Sequence, residues 1–290
     1  MSNKVIAYLD VLGFKNYLST DIDSALDILF EIHSMIKSPY DLKTIDSFEN
    51  FIPFSDSIFI SSTEPNKFVE QISSFLVDCF FINASYYRSP VDSTNPTKIT
   101  RAYTDIRGNL KTVKNEHAFP IIFKGGISYG ECFEAALYTI DNYKLGNNIN
   151  LIGNGVVNAY ALHESDIKCP GLYCDLSFIN QLDNIKTQYV NKIDKDIYEI
   201  LWPLNLYRSS SIDDSIIKFN SMFQPVVNLW KAYNHFKWGM QYYNLLKLLI
   251  RSTVKYSTIN NCEKLIKLEI EKSCDVFDIS DKKSDLLSIN

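Results

Sequence analysis

The sequence is poor in the spacings that build metal and disulfide clusters. Its six cysteines (79, 132, 169, 174, 262 and 274) form no CxxC pair, and only four histidines accompany them. That combination speaks against a zinc module and reads as reduced thiols in a cytoplasmic protein. No basic block is present and the net charge is −5, so no extended grip on a nucleic-acid backbone is expected. A small anionic ligand remains compatible, because backbone N–H groups and a metal bind phosphate without a basic protein. No stretch approaches eighteen apolar residues without polar interruption, so no transmembrane span is expected. The opening MSNKVIAYLDVLGF does not read as a signal peptide: its apolar run is short, Asp10 interrupts it, and no small-residue cleavage site follows. There is no internal repeat and no low-complexity tract.

What is present suits a globular chain. Hydrophobic residues make up 46% of 290, enough for a substantial core in one large domain or two ordinary ones. KVIAYLDV reads as a buried strand, and DIDSALDILFEIHSMIK as an amphipathic helix capped at Asp21. FENFIPFSDSIFISS reads as two short strands around a turn at Asp56, and NKFVEQISSFLVDCFFINASYY as a second amphipathic helix. Residues 89–118 are polar with two prolines and are expected to form an inserted or poorly ordered loop. FPIIFKGGISYGECF is a strand, NLIGNGVVNAYALHES opens with glycines and continues as a helix, and GLYCDLSF and KDIYEILW are later strands. Strands alternating with helices predict a sheet with helices packed on it. Residues 213–258 are helical and aromatic-rich, and the polar tail from about 272 is expected to fray.

Asp10 and Asp56 each stand at a strand–turn boundary. Asp10 alone serves equally well as a helix cap, and Asp56 alone as an ordinary turn residue. If their strands are neighbours, the two carboxylates converge and repel, and a divalent ion removes that penalty. Two metals can activate an attacking oxygen and neutralise a polyphosphate. Gly13 permits unusual dihedrals, and a helix starting near Phe14 would aim free N–H groups at an anion. His163 follows an apolar helix face and reads as structural.

YLDVLGFK, FSDSIFIS, FKGGISYGE and LIGNGVVNAYAL, in that order, resemble the motifs of class III nucleotide cyclases. The interval of 46 residues from Asp10 to Asp56 also suits that family. FKGGISYGE and NAYALHESDIKCPGLYCD are most similar to the bacterial pyrimidine (uridylate and cytidylate) cyclases of Pycsar anti-phage systems. The resemblance covers residues 4 to about 203. It implies an α+β fold: a ferredoxin-like βαββαβ catalytic domain over 1–203 with added strands, followed by a C-terminal helical extension over 204–290. It implies a head-to-tail homodimer with interfacial sites. In each site Asp10, Asp56 and the Val11 carbonyl would hold two Mg²⁺ or Mn²⁺ ions, while the backbone of Leu12, Gly13 and Phe14 holds a triphosphate. The implied reaction is attack of the ribose 3′-hydroxyl on the α-phosphate, releasing pyrophosphate. In Pycsar systems the cyclic product acts on a separate effector protein.

The pattern departs from the family at three places. Purine-selecting cyclases carry a Lys six residues before the second metal Asp and an Asp three residues before the helix glycine; here Asn50 and Asn150 stand there. Two amides can meet the edge of uracil, or of cytosine after a flip, so UTP is placed slightly ahead of CTP. The helix that gives the family an Asn and an Arg reads Val157 and Ala161 in ungapped register, with Asn158 one position away. Lys124, Arg101, Lys192 and Lys195 are the candidate cations in compensation, although Lys124 reads more readily as a solvated side chain than as a phosphate ligand. A catalytically impaired, nucleotide-binding homologue is the competing expectation. A diguanylate cyclase is disfavoured, since GGIS is not a GGDEF-like signature.

Overall fold

In the computed structural model of the protein, the described residues are 2–15, 28–29, 32, 45–54, 56–90, 98–104, 110–117, 120–137, 148–165, 170–236 and 239–288. The central strand β1 (Ser2–Val11) has neighbouring strands on both edges. Its odd positions, Val5, Ala7, Leu9 and Val11, are all buried in one large core. Its even positions, Lys4, Ile6, Tyr8 and Asp10, line the other face.

β1 pairs antiparallel with β3 (Ser57–Ser62) on one side and β6 (Phe123–Leu137) on the other. β2 (Asn50–Phe54) pairs with β3 through the turn that holds Asp56. The order β2-β3-β1-β6, antiparallel throughout, is the ferredoxin-like arrangement expected from the sequence. Beyond β6 the sheet continues through β8 (Leu172–Asp175), which is parallel to β6, then β10 (Ile197–Ile200) and β9 (Val190–Lys192). β7 (Asn148–Ile152) pairs with the far end of β6. The fold is therefore α+β with added strands. Most of the helix expected around residues 21–37 lies outside the described residues; residues 28, 29 and 32 are helical.

Helix α1 (Pro65–Ala84) starts on a proline at its first turn, where the missing N–H costs nothing. It buries Phe68, Ile72, Phe75, Leu76, Cys79 and Phe80 against the odd face of the sheet, with the Phe75 ring 5.9 Å from that of Phe123. The long helices α4 (Ile212–Tyr233) and α5 (Met240–Ile259) join the same core; α3 (Leu176–Ile179) is a single turn after β8. α4 is capped by the Ser211 hydroxyl, which accepts from the Asp214 N–H at 3.1 Å, and Asp213 and Asp214 complement its dipole. A buried bond from Asn228 to the Tyr87 carbonyl (2.8 Å) ties the chain beyond 203 to the chain before it, and the Tyr207 and Thr253 hydroxyls bond at 2.6 Å within the later part.

Two expectations are corrected. Residues 89–118 are not a plain loop: β4 (Lys98–Thr104) and β5 (Leu110–His117) form a separate two-stranded hairpin. The tail does not simply fray from 272: α6 (Glu263–Val276) runs past that point and α7 (Lys283–Leu287) docks with Leu286 fully buried. Among the described residues no helix is long and apolar enough to cross a membrane.

Candidate active site

The even face of β1 is covered chiefly by α2 (Asn154–Glu164), which presents Gly155, Ala159 and His163 inward at four-residue spacing. Glycines on β6 allow the close approach. A Cβ at Gly126 would lie 2.1 Å from the Ala159 carbonyl oxygen, and one at Gly130 would lie 2.5 Å from the Asn154 side chain. Gly126→Ala is therefore expected to push α2 off the sheet and to cost about 1–3 kcal/mol, read as a lower urea midpoint.

Asp10 ends β1 and stands opposite Ser57. The Ser57 hydroxyl donates to Asp10 Oδ1 at 3.0 Å and is itself 2.7 Å from the Tyr8 hydroxyl. Asp56 immediately precedes Ser57, and its carbonyl accepts the Val11 N–H at 3.0 Å. The two aspartates thus sit at the ends of adjoining strands, as the spacing anticipates. Burial, together with Asp10, Tyr160 and Asp56, holds the Tyr8 phenol above its ordinary range, against the opposing Ser57 hydrogen bond. Lys124 lies directly across from Asp10 on β6, on the same face. Gly13 turns the chain with φ 82°, the left-handed region that favours glycine, into helical residues 14 and 15.

Other expected members stand elsewhere or are already engaged. The Leu12 N–H, in the turn just after β1, is taken by the Ile122 carbonyl at 2.9 Å, so it is not free to hold a phosphate. The Phe14 side chain is buried in the main core. Asn158 is exposed, off the inward stripe of α2, and does not join Asp10 within the chain. Lys192 is on β9 and Lys195 in the turn that follows it, four strands from β1. The side chain of Arg101 lies outside the described residues. Val157 and Tyr160 are exposed on the outer face of α2.

Asn50 stands on the same face as Ile6, in register with it through Ser61, and Asn150 is on β7. Asn50 Nδ2 donates to Ser61 Oγ (2.8 Å) and to Glu134 Oε1 (2.7 Å), and Asn150 pairs across from Ala135, next to Glu134. Lys4 bridges Glu134 and Glu49, the latter at 2.7 Å. Partial burial alone would lower the Lys4 ammonium, but its bonds to Glu134 and Glu49 outweigh burial and hold it above its ordinary value. From Lys4 to Asp10 is six residues of strand, about 20 Å.

Sequence reasoning missed Tyr8, Ser57, Glu134 and the placement of His163. His163 is buried, with its ring 4.8 Å from that of Tyr8 and its Nε2 3.6 Å from Asp10 Oδ2. The only early signal was the four-residue repeat Gly155, Ala159, His163, small residues and then a polar one on an inward stripe. The donors around Asp10 fit a divalent cation: two carboxylates supply hard oxygens, and an imidazole without a hydrogen bond stands behind one of them. Among the described residues, no group of three or more His, Cys, Asp or Glu side chains is already gathered around one point.

No family model matches the sequence, and no curated protein matches it. Similar solved structures include a bacterial light-regulated adenylyl cyclase, 16% identical with TM-score 0.42 over 68% of this chain and 89% of that one. An adenylate cyclase from Trypanosoma brucei is 13% identical, with TM-score 0.45 over 69% of this chain and 90% of that one. The adenylyl cyclase CyaB from P. aeruginosa is 12% identical, with TM-score 0.43 over 68% and 93%.

Proposed function

We propose that the protein is a nucleotide cyclase that converts a pyrimidine nucleoside triphosphate, UTP ahead of CTP, to its 3′,5′-cyclic monophosphate and pyrophosphate. The observation that carries this is the adjacency of Asp10, at the end of β1, and Asp56, just before β3 and bonded through its carbonyl to Val11, beside the Gly13 turn. Asp10, Asp56 and the Val11 carbonyl would hold Mg²⁺ or Mn²⁺, two ions per site. Such ions supply charge neutralisation on the triphosphate and acidify the attacking hydroxyl. The Tyr8–Ser57 pair orients the Asp10 carboxylate, and Lys124 adds positive charge beside it. Catalysis of this kind is chiefly positioning and electrostatics.

The site is shared between two copies of the chain. Asn50 stands in register with Ile6 through Ser61, about 13 Å of strand from Asp10, whereas Asn150 stands opposite Ala135, about 35 Å along β6 from Lys124, the partner of Asp10, so one copy does not bring Asn150 to Asp10. A head-to-tail homodimer brings the amide end of one copy against the aspartate end of the other. It also turns Val157, Asn158 and Tyr160 on the outer face of α2 toward the partner copy. The cyclic product is a second messenger for a separate effector in anti-phage defence, a role that rests on the motif resemblance.

A second reading is a homologue that binds nucleotide without turning it over. Val157 and Ala161 favour it, since neither offers a charge or a donor to a transition state. One assay separates the two: purified protein, Mn²⁺, each of the four nucleoside triphosphates, and chromatography of the products. A cyclic pyrimidine monophosphate supports the cyclase; binding of nucleotide with no product supports the second reading. Asn50→Ala is expected to alter the choice among the four substrates more than the rate with any one of them. Equal losses across all four would instead mean that Asn50 serves only to hold Glu134 and Ser61.

A further inference from the structure

His163 is 7% exposed, yet neither ring nitrogen completes a hydrogen bond. A buried polar group left without a partner costs about 1–3 kcal/mol, and native proteins keep few of them. The ring is locked by contact with Tyr8 at 4.8 Å and Tyr160 at 6.1 Å. Its Nε2 faces Asp10 Oδ2 at 3.6 Å, beyond hydrogen-bond reach, while Asp10 Oδ1 is already held by Ser57. On the other side of the ring, Glu164 Oε1 lies 3.0 Å from Nδ1 without the geometry of a bond. A nitrogen and a carboxylate oxygen therefore face one another across a gap, each with an unused lone pair or proton, and a carboxylate stands at the far nitrogen. Metal-ligating histidines have a carboxylate or carbonyl bonded to the second ring nitrogen; here Glu164 is at that distance from Nδ1 without the bond being made.

We infer that His163 is a nitrogen ligand of the cation held at Asp10, contributed from the end of α2. The inference rests on the Asp10–Asp56 site proposed above and adds to it a donor from a third element. An imidazole in the set has a definite chemical consequence. Nitrogen donors favour first-row transition ions over Mg²⁺, whose preferred ligands are all oxygens. The site so built takes Mn²⁺ in preference to Mg²⁺. The glycines of β6 acquire a purpose as well, since they let α2 lie close enough for His163 to reach β1.

The test uses the full-length protein with Mn²⁺ and no nucleotide, read by pulsed electron paramagnetic resonance. Wild-type protein is expected to show modulation from a coordinated ¹⁴N, and ¹⁵N-labelling of histidine is expected to change it. His163→Gln is expected to abolish the modulation and to weaken Mn²⁺ binding at least tenfold, with Mg²⁺ binding changed less. Asp10-dependent Mn²⁺ binding with no nitrogen modulation in the wild type would overturn the inference and leave the aspartate site standing. Modulation that persists in His163→Gln would also overturn it, by assigning the nitrogen to another residue. Mn²⁺ binding unchanged in Asp10→Asn would overturn both. The wild-type spectrum alone decides the matter should the variant fold poorly.

Discussion

Asp10→Ala and Asp56→Ala each lower nucleotide turnover by about a thousandfold or more, the scale on which preorganised charge stabilisation acts, while the protein keeps its fold and its oligomeric state. The expectation of an intact fold follows from exposure. Asp56 is a half-exposed turn residue whose backbone carbonyl, not its side chain, carries the bond to Val11. Asp10 gives up one hydrogen bond from Ser57, whose hydroxyl keeps Tyr8 as partner. Surface changes of this sort shift stability by about 0.5 kcal/mol or little more. Product chromatography with Mn²⁺, beside size-exclusion profiles and melting curves, checks both halves. Turnover retained in either variant would remove the metal assignment, and the composite site with it.

Arg251→Ala carries the largest expected loss of stability. Arg251 reaches from α5 to β10 and holds Glu199 at both oxygens, Nε to Oε2 at 2.8 Å and Nη2 to Oε1 at 2.9 Å. Glu199 is 2% exposed. Removing one partner of a buried pair strands the other charge, at about 3–5 kcal/mol, read as a loss in urea or thermal denaturation. The deficit is pH-dependent. Burial already lifts the Glu199 carboxyl above its ordinary value of 4.5, against the pull of Arg251. Without Arg251 it rises further. A group whose folded pKa lies above its unfolded one stabilises the fold when protonated and loses that contribution as pH rises through the folded value. Variant and wild type therefore converge as pH falls toward 4.5 and separate as pH rises to neutrality. A deficit that is the same at both ends would mean that lost packing of the arginine stem, not a stranded carboxylate, is responsible. Arg251→Ala combined with Glu199→Gln is expected to recover part of the loss at neutral pH.

Much of the catalytic half was legible before any coordinates. The aspartates could be paired because each ends an apolar strand run at a turn, and a strand's period of two tells which side chains share a face. The helices beyond 212 were legible as helical, aromatic-rich sequence, and α4 runs through Pro225. What escaped was set by contacts distant in sequence. Glu134 reaches Asn50 across 84 residues and Lys4 across 130, and no local pattern announces such a network. His163 read as an ordinary helix residue because its neighbour Asp10 belongs to a strand 153 positions earlier. The Leu12 amide read as free because its acceptor, the Ile122 carbonyl, comes from a strand whose start was placed by pattern alone. The docking of α7 escaped because a single buried leucine, Leu286, anchors an otherwise polar tail.

The alternation along β1 divides evolutionary constraint between adjacent positions. Valine, alanine and leucine at 5, 7, 9 and 11 answer only to volume and the exclusion of water. Lysine, tyrosine and aspartate at 4, 8 and 10 carry polar groups on the other face, where Ile6 packs beneath α2. A lineage can thus retune its chemistry by changing every second residue of one strand while the architecture is inherited intact through the residues in between.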